Sequence, residues 1–285
     1  MKLVRAQPNR HGFTLVELLV VIVIIGILAA LITVAVSAAL TTAKQAKIVL
    51  EIGQLSAGMN LYKKQYGSYP PSTRPLLIAH IQSQFQRALP EDLATLPPQM
   101  NAAEILWFCL RGYTSDPQRP VNYFNTNVKR DNFFDFDTGR LRKGRDFTVT
   151  ANGTTLTGQT AVYVQTEKEA PYVYFDCSRP PAVYKSQNGD ARTFPELNPT
   201  GQNPYTGPTG TGMAKPYLTL PTGAGQPLPA NTPNFQIIAA GLDGDFGEYQ
   251  NPGANKRYPD GANYAEGDKD NLVNFSERNL ENSKP

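Results

Sequence analysis

From Leu18 to Leu40 no charged side chain interrupts the chain, and most positions are apolar. At about 1.5 Å rise per residue this run reaches roughly 34 Å, enough to cross a hydrocarbon core of about 30 Å as a helix. The apolar positions then thin to a single stripe of Ile48, Ile52, Leu55, Met59, Tyr62 and Tyr66, separated alternately by four and three residues. Lys44, Lys47, Glu51 and Lys64 lie off that stripe. The spacing predicts that the helix continues in amphipathic form until Gly67 and Pro70-Pro71 stop it. Its second half needs a covering surface, most simply a sheet packed on the stripe.

After residue 67 the period changes. Asn101-Ala-Ala-Glu104 reads as a capping box ahead of a short buried helix, Ile105 to Leu110. Phe147–Thr150 and Ala161–Val164 read as short strands. Pro171–Phe175 and Phe235–Gly241 read as stronger ones. Residues 178–233, dominated by Pro, Gly, Thr and Asn, read as a long solvated surface loop. Asp131, Asp135 and Asp137, interleaved with Phe133, Phe134 and Phe136, read as a half-buried strand edge.

Composition sharpens the contrast between the two ends. Of the 24 prolines, only Pro8 precedes position 70. The formal net charge of +3 is local as well: without Lys2, Arg5 and Arg10 the 27 cationic side chains fall to 24, equal to the 24 acidic ones. No basic face remains to neutralise phosphates, so a nucleic-acid partner is excluded. The two cysteines, Cys109 and Cys177, form no CxxC. They read either as one bridge in an exported chain or as two unpaired, half-buried thiols. His11 and His80 stand apart from any carboxylate or cysteine in sequence, and no P-loop, GxSxG or HExxH occurs, so no catalytic site is expected.

The basic start does not read as an ordinary secretory signal. The apolar run exceeds the ~7–15 residues of such a peptide's core. The nearest small-x-small tripeptide, Ala35-Val36-Ser37, lies inside the helical pattern. A basic flank places the N-terminus on the cytoplasmic side and the rest outside. Glu17, at the edge of the run, has two readings. It is a helix-start acid held at the interface, or it needs a cation from a neighbouring subunit. Cleavage between Gly12 and Phe13 would supply that cation, the new α-amino group of Phe13.

A basic leader, Gly12, then Phe13-Thr14-Leu15-Val16-Glu17-Leu18 and an unbroken apolar helix resemble the class III signal of type IV pilins and type II secretion pseudopilins. The resemblance implies an α+β, pilin-like fold, a long N-terminal helix on a small antiparallel sheet. It also implies that a prepilin peptidase removes residues 1–12 and methylates Phe13. Residues 13–40 are then kept as membrane anchor and filament core, 41–66 as the amphipathic continuation, and 67–285 as the extracytoplasmic domain. Glu17 would be attracted to the Phe13 ammonium of the preceding subunit. Where many relatives carry a helix-loosening proline this chain has Val34, leaving Gly26 as the weak point. The Leu61–Pro70 stretch, ending Tyr66-Gly67-Ser68-Tyr69-Pro70, resembles the helix exit of major, G-type pseudopilins. Pro171–Phe175 occupies the place of their Pro-Trp-Gly-x-Pro-Tyr element, with Glu169-Ala170 replacing its tryptophan-glycine portion.

The second chemical signal is Leu242-Asp243-Gly244-Asp245-Phe246-Gly247, followed later by Asp268-Lys269-Asp270. Carboxylates between glycines suit a hard cation that takes several oxygens, some from backbone carbonyls. They also suit an Asp-Gly turn with solvated acids. The pair of segments resembles the calcium loop of G-type pseudopilins. That resemblance implies calcium as cofactor, Asp243 and Asp268 as side-chain ligands, Asp245 and Asp270 next, and Leu242 as a carbonyl donor. An insertion, 248–267, lengthens the loop relative to the family.

The function so implied is non-enzymatic: a pseudopilin-like subunit in the bacterial inner membrane, polymerising with other subunits to drive protein export. A secretion platform and motor ATPase would supply the work. A type IV pilin for adhesion, motility or DNA uptake is the second reading, and a single-span anchored binding domain the third.

Overall fold

A computed structural model describes residues 14–98, 100–125, 127–166, 168–178, 214, 216–219, 228–247, 256–277 and 279–283. The chain divides into two units, 1–44 and 45–285.

Helix α1 runs from Leu15 to Tyr66, 52 residues, as the apolar run and the stripe predict. It passes through Gly26 and Val34 without a break. In the first unit every residue from Thr14 to Lys44 is exposed. The few hydroxyls here satisfy themselves within the helix. Thr33 donates to the Ala29 carbonyl at 2.8 Å, Ser37 to Val34 at 2.8 Å, Thr41 to Ser37 at 3.1 Å and Thr42 to Ala38 at 3.1 Å. Such back-bonding leaves no hydroxyl needing water, which suits an apolar environment.

In the second unit the predicted stripe is the core. Ile48, Ile52, Leu55, Met59 and Tyr62 are at most 2% exposed, and Tyr66 is half-buried. Glu51 departs from the expectation. It is buried with the stripe rather than off it, because Arg140, Tyr163 and Tyr172 all bond its carboxylate. The helix stops where Gly67 donates to the Lys63 carbonyl at 2.8 Å.

Three short helices follow, α2 (Arg74–Gln84), α3 (Pro90–Leu93) and α4 (Ala102–Leu110). The capping box forms as predicted. Ala103 and Glu104 donate to Asn101 Oδ1 at 2.9 and 3.0 Å, and the Asn101 N–H donates to Glu104 Oε2 at 2.8 Å. Glu104 does further work: Arg145 donates to its Oε2 at 2.9 Å and Thr160 to its Oε1 at 2.5 Å.

Arg145 and Thr160 belong to a hairpin much longer than the short strands the pattern suggests. Strands β1 (Leu141–Ala151) and β2 (Thr154–Tyr163) pair antiparallel from Leu141↔Tyr163 to Ala151↔Thr154, with a register shift between Lys143 and Asp146. Asn152 and Gly153, both at positive φ (49° and 72°), form the two-residue turn. Asn-Gly between two alternating runs was the sequence signal for it. The run 131–137 forms no strand edge. It is an irregular segment whose Phe133, Phe134 and Phe136 pack on the core, and Asp137 accepts from Gly139 at 2.9 Å in the turn that delivers Arg140.

The remaining strands are β3 (Val173–Asp176), β4 (Leu218–Thr219), β5 (Leu228–Pro229), β6 (Phe235–Ala239) and β7 (Leu272–Val273). β3, β6 and β7 form an antiparallel sheet in that order, and β4 pairs with β5. The sheet is buried on both faces, with the period of two expected of strands. Tyr172, Tyr174, Phe235, Ile237 and Ala239 join the cluster on the α1 stripe. Val173, Phe175, Ile238 and Val273 join a second cluster containing Tyr217 and Phe246.

Cover for that second face comes partly from the stretch expected to be a solvated loop. Residues 179–213 lie outside the described residues. Tyr217, Leu218 and Ala230, however, are at most 5% exposed. Gln236, fully buried on β6, ties this segment down: it accepts from the Tyr217 N–H at 2.9 Å and donates to the Tyr217 and Ala230 carbonyls at 2.8 Å each. A period-based reading misses it because single polar bonds, not alternation, place it.

Cys109 and Cys177 are both fully buried and form no disulfide. Both are fully rather than half buried. Burial pushes the Cys109 thiol well above its ordinary range.

Candidate functional site

Two regions carry the candidate residues. At the first, Gly12 and Phe13 lie outside the described residues, and Glu17 sits in the opening turn of α1. The Thr14 N–H and hydroxyl both donate to Glu17 Oε2 at 2.8 Å, and the Glu17 N–H donates back to Thr14 Oγ1 at 3.2 Å. This is a reciprocal capping box, with a carboxylate at the helix end that favours negative charge. Beyond it the helix exposes Leu15, Val16 and Leu18 through Ile25 without interruption. The first unit therefore presents one acid at the head of an otherwise greasy cylinder long enough to span a membrane.

The second region begins where β6 ends. Gly241 adopts φ +61°, and a Cβ there would lie 2.3 Å from Asp270 Cγ. That close approach lets Asp270 Oδ2 accept from the Leu242 and Asp243 N–H groups at 2.7 and 3.2 Å. Asp243 accepts from the Asp245 N–H at 2.7 Å, and Asp245 from the Gly247 N–H at 2.9 Å. The Asp243 carboxyl is pushed up to about 6, first by partial desolvation and then by the neighbouring Asp270 and Asp245 charges. Asp270 Oδ1 is buried without a hydrogen-bond partner.

Asp268 has a different environment. It is fully buried, and Lys256, 2% exposed, donates to its Oδ1 at 2.6 Å. Tyr217 donates to the same oxygen at 2.9 Å, and the Ala265 N–H to Oδ2 at 2.8 Å. The ammonium also donates to the Phe246 carbonyl at 2.8 Å. Burial draws Lys256 below its usual range and Asp268 above its own, and each is countered by the other's charge.

Of the five residues implied as calcium ligands, Asp243 and Asp270 face each other, whereas Asp268 is turned to Lys256. Asp243, Asp245 and Asp270 accept backbone N–H groups, and Asp268 faces an ammonium. Among the described residues no group of three or more His, Cys, Asp or Glu side chains is arranged to hold a metal ion. As folded, Asp268 is paired with an ammonium rather than open to a metal ion. Lys256 and Tyr217 are the participants that sequence reading missed. Lys256 comes from the stretch read as an insertion and Tyr217 from the stretch read as a surface loop, and neither belongs to a motif.

Comparison with known proteins bears on the first region most directly. A family profile described as the prokaryotic N-terminal methylation motif matches residues 7–33. The chain is 35% identical over 98 residues to the type II secretion system core protein G of Klebsiella michiganensis, covering 30% of this chain and 69% of that protein. It is 30% identical over 98 residues to the protein of the same name from Klebsiella pneumoniae, covering 30% and 70%. No solved structure matches. A methylation motif on an exposed apolar helix, together with that likeness over two thirds of the relative, decides the family: this chain belongs to the type II secretion pseudopilins of the core protein G kind.

Proposed function

We propose that the chain is a subunit of a type II secretion filament, made as a precursor and cleaved between Gly12 and Phe13 by a prepilin peptidase. Phe13 becomes N-methylated. Residues 13–40 anchor the protein in the inner membrane, with the N-terminus cytoplasmic and the extracytoplasmic domain, 67–285, outside. That helix then becomes the contact between subunits when they polymerise to drive export. The chain's role is structural, with the work supplied by a motor ATPase through the secretion platform.

The observation that carries this reading is the coincidence of the methylation motif at 7–33 with a helix whose residues 14–44 are all exposed. Apolar surface of that extent is unfavourable in water and demands lipid or neighbouring helices. Glu17 is the one acid on it. In a filament it would meet the Phe13 ammonium of the adjacent subunit, a charge-assisted contact between otherwise apolar helices.

Intact mass of the protein recovered from membranes tests the reading, with Gly12→Glu alongside. The expected product begins at N-methyl-Phe13, and the variant stays full length. A wild-type chain retaining Met1 to Gly12 in cells with an active prepilin peptidase would overturn it. Surface appendages in electron micrographs, with export unaffected by loss of the protein, would assign it to a pilus instead.

A further inference from the structure

We infer that Lys256 takes the place of a metal ion in the C-terminal loop, so that its ammonium, rather than calcium, closes the turn on Asp268. The inference uses the family reading only for its expectation that a cation sits at this loop.

The geometry is that of an enclosed cation. Lys256 Nζ lies 2.6 Å from Asp268 Oδ1 and 2.8 Å from the Phe246 carbonyl oxygen, with both side chains at most 1% exposed. One carboxylate and one backbone carbonyl are the kinds of oxygen a calcium ion would draw from such a turn. The ammonium reaches both from a chain position twelve residues before Asp268. A calcium ion bound to the same oxygens would lie against a positive charge with no water between, so the two cations exclude each other. Asp268 is also well occupied: Oδ1 takes Lys256 and Tyr217, and Oδ2 takes the Ala265 N–H.

The charges also match. A divalent ion needs several anionic oxygens, whereas one ammonium balances one buried carboxylate. Asp245 adds a favourable charge near Lys256. The remaining pair, Asp243 and Asp270, holds the Leu242–Asp245 turn through backbone N–H groups, with Asp270 Oδ1 left without a partner.

The origin of Lys256 makes the substitution intelligible. It lies in the 248–267 stretch, between the two acidic segments of the loop. Tyr217, the second donor to Asp268, comes from the 178–233 stretch. Two segments outside the acidic motif therefore converge on one carboxylate and supply what an ion would otherwise supply: charge neutralisation and a link between the two acidic segments.

Melting of the full-length protein in detergent, in excess calcium chloride and in excess EDTA, tests this. The expected wild-type melting temperature is the same in both, and native mass spectrometry finds no calcium retained. Lys256→Ala should melt several degrees lower in EDTA, because it leaves Asp268 buried and unpaired. Adding Asp268→Asn to it should recover part of the loss. A wild-type melting temperature that rises with calcium or falls with EDTA would overturn the inference, as would a Lys256→Ala protein that melts like the wild type. If that variant does not fold, the wild-type comparison alone decides. Cleavage after Gly12 is read separately by mass, so failure here and failure of the secretion reading are distinguishable.

Discussion

Glu51, on the buried face of α1, is clasped by Arg140, which lies 89 positions later in the chain. Both guanidinium nitrogens Nη1 and Nη2 reach its carboxylate, the second at 2.6 Å. Tyr163 donates to Oε1 at 2.9 Å and Tyr172 to Oε2 at 2.5 Å. Arg140 in turn donates through Nε to the Val164 carbonyl at 3.0 Å. One acid on the helix thus bonds the turn before β1, the end of β2 and the start of the β3 strand region. Apolar contacts bring helix and sheet together, but they are non-directional; this cluster sets how far along the stripe the sheet docks.

Removing the acid should be expensive. The Glu51 and Arg140 side chains are only 11% and 15% exposed, and breaking one partner of a buried pair costs about 3–5 kcal/mol because the other charge is left behind. Chemical denaturation of Glu51→Ala in detergent, followed by circular dichroism, should show a midpoint loss of that order. A loss under ~1 kcal/mol would mean Arg140 finds water or another acceptor.

The same carboxylate gives a pH signature. Burial by itself would raise Glu51, but bonds from Arg140, Tyr172 and Tyr163 and the Arg140 charge together outweigh it and hold the group below the ordinary carboxylate range. A depressed folded-state value contributes stability that is complete above the unfolded value of about 4.3 and is lost as pH falls through the folded one. Stability measured from neutral pH downward should therefore decline less steeply in Glu51→Gln than in wild type below about pH 4.3. Parallel curves would refute the assignment.

Gly241→Ala tests the loop without touching a charge. At φ +61° any side chain is strained, by about 1–3 kcal/mol, and its Cβ would fall 2.3 Å from Asp270 Cγ. Asp270 would have to move, freeing the Leu242 and Asp243 N–H groups. Hydrogen exchange at those two amides should accelerate in the variant; unchanged protection would show that the turn holds without Asp270.

Glu17→Gln separates the two roles of that acid. Glutamine can still accept from Thr14 and keep the helix start, but it carries no charge. The expected variant is cleaved after Gly12 and stays in the membrane, yet fails to enter filaments when co-expressed with wild type. Normal incorporation would make Glu17 a helix cap and nothing more.

The cysteines offer a plain count. With Cys109 and Cys177 buried and unbridged, denatured protein prepared without reductant should titrate two thiols. Finding none would show that they bridge.

What the sequence determined by itself was whatever depends on neighbours within a few turns. The uncharged run to Leu40, the stripe from Ile48 to Tyr62, the stop at Gly67 and the Asn101 cap were all legible, because helix periodicity and end bonding are local. The Asn152-Gly153 turn was equally local, and reading it would have lengthened both strands. The tertiary structure alone decided which charges are inside. Glu51 looks like a surface acid until Arg140 arrives from 89 positions away. Asp268 looks like a metal ligand until Lys256 and Tyr217 fold onto it from 12 and 51 positions earlier. Burial of a charge is set by the partner that neutralises it, and no spacing rule specifies a partner that distant.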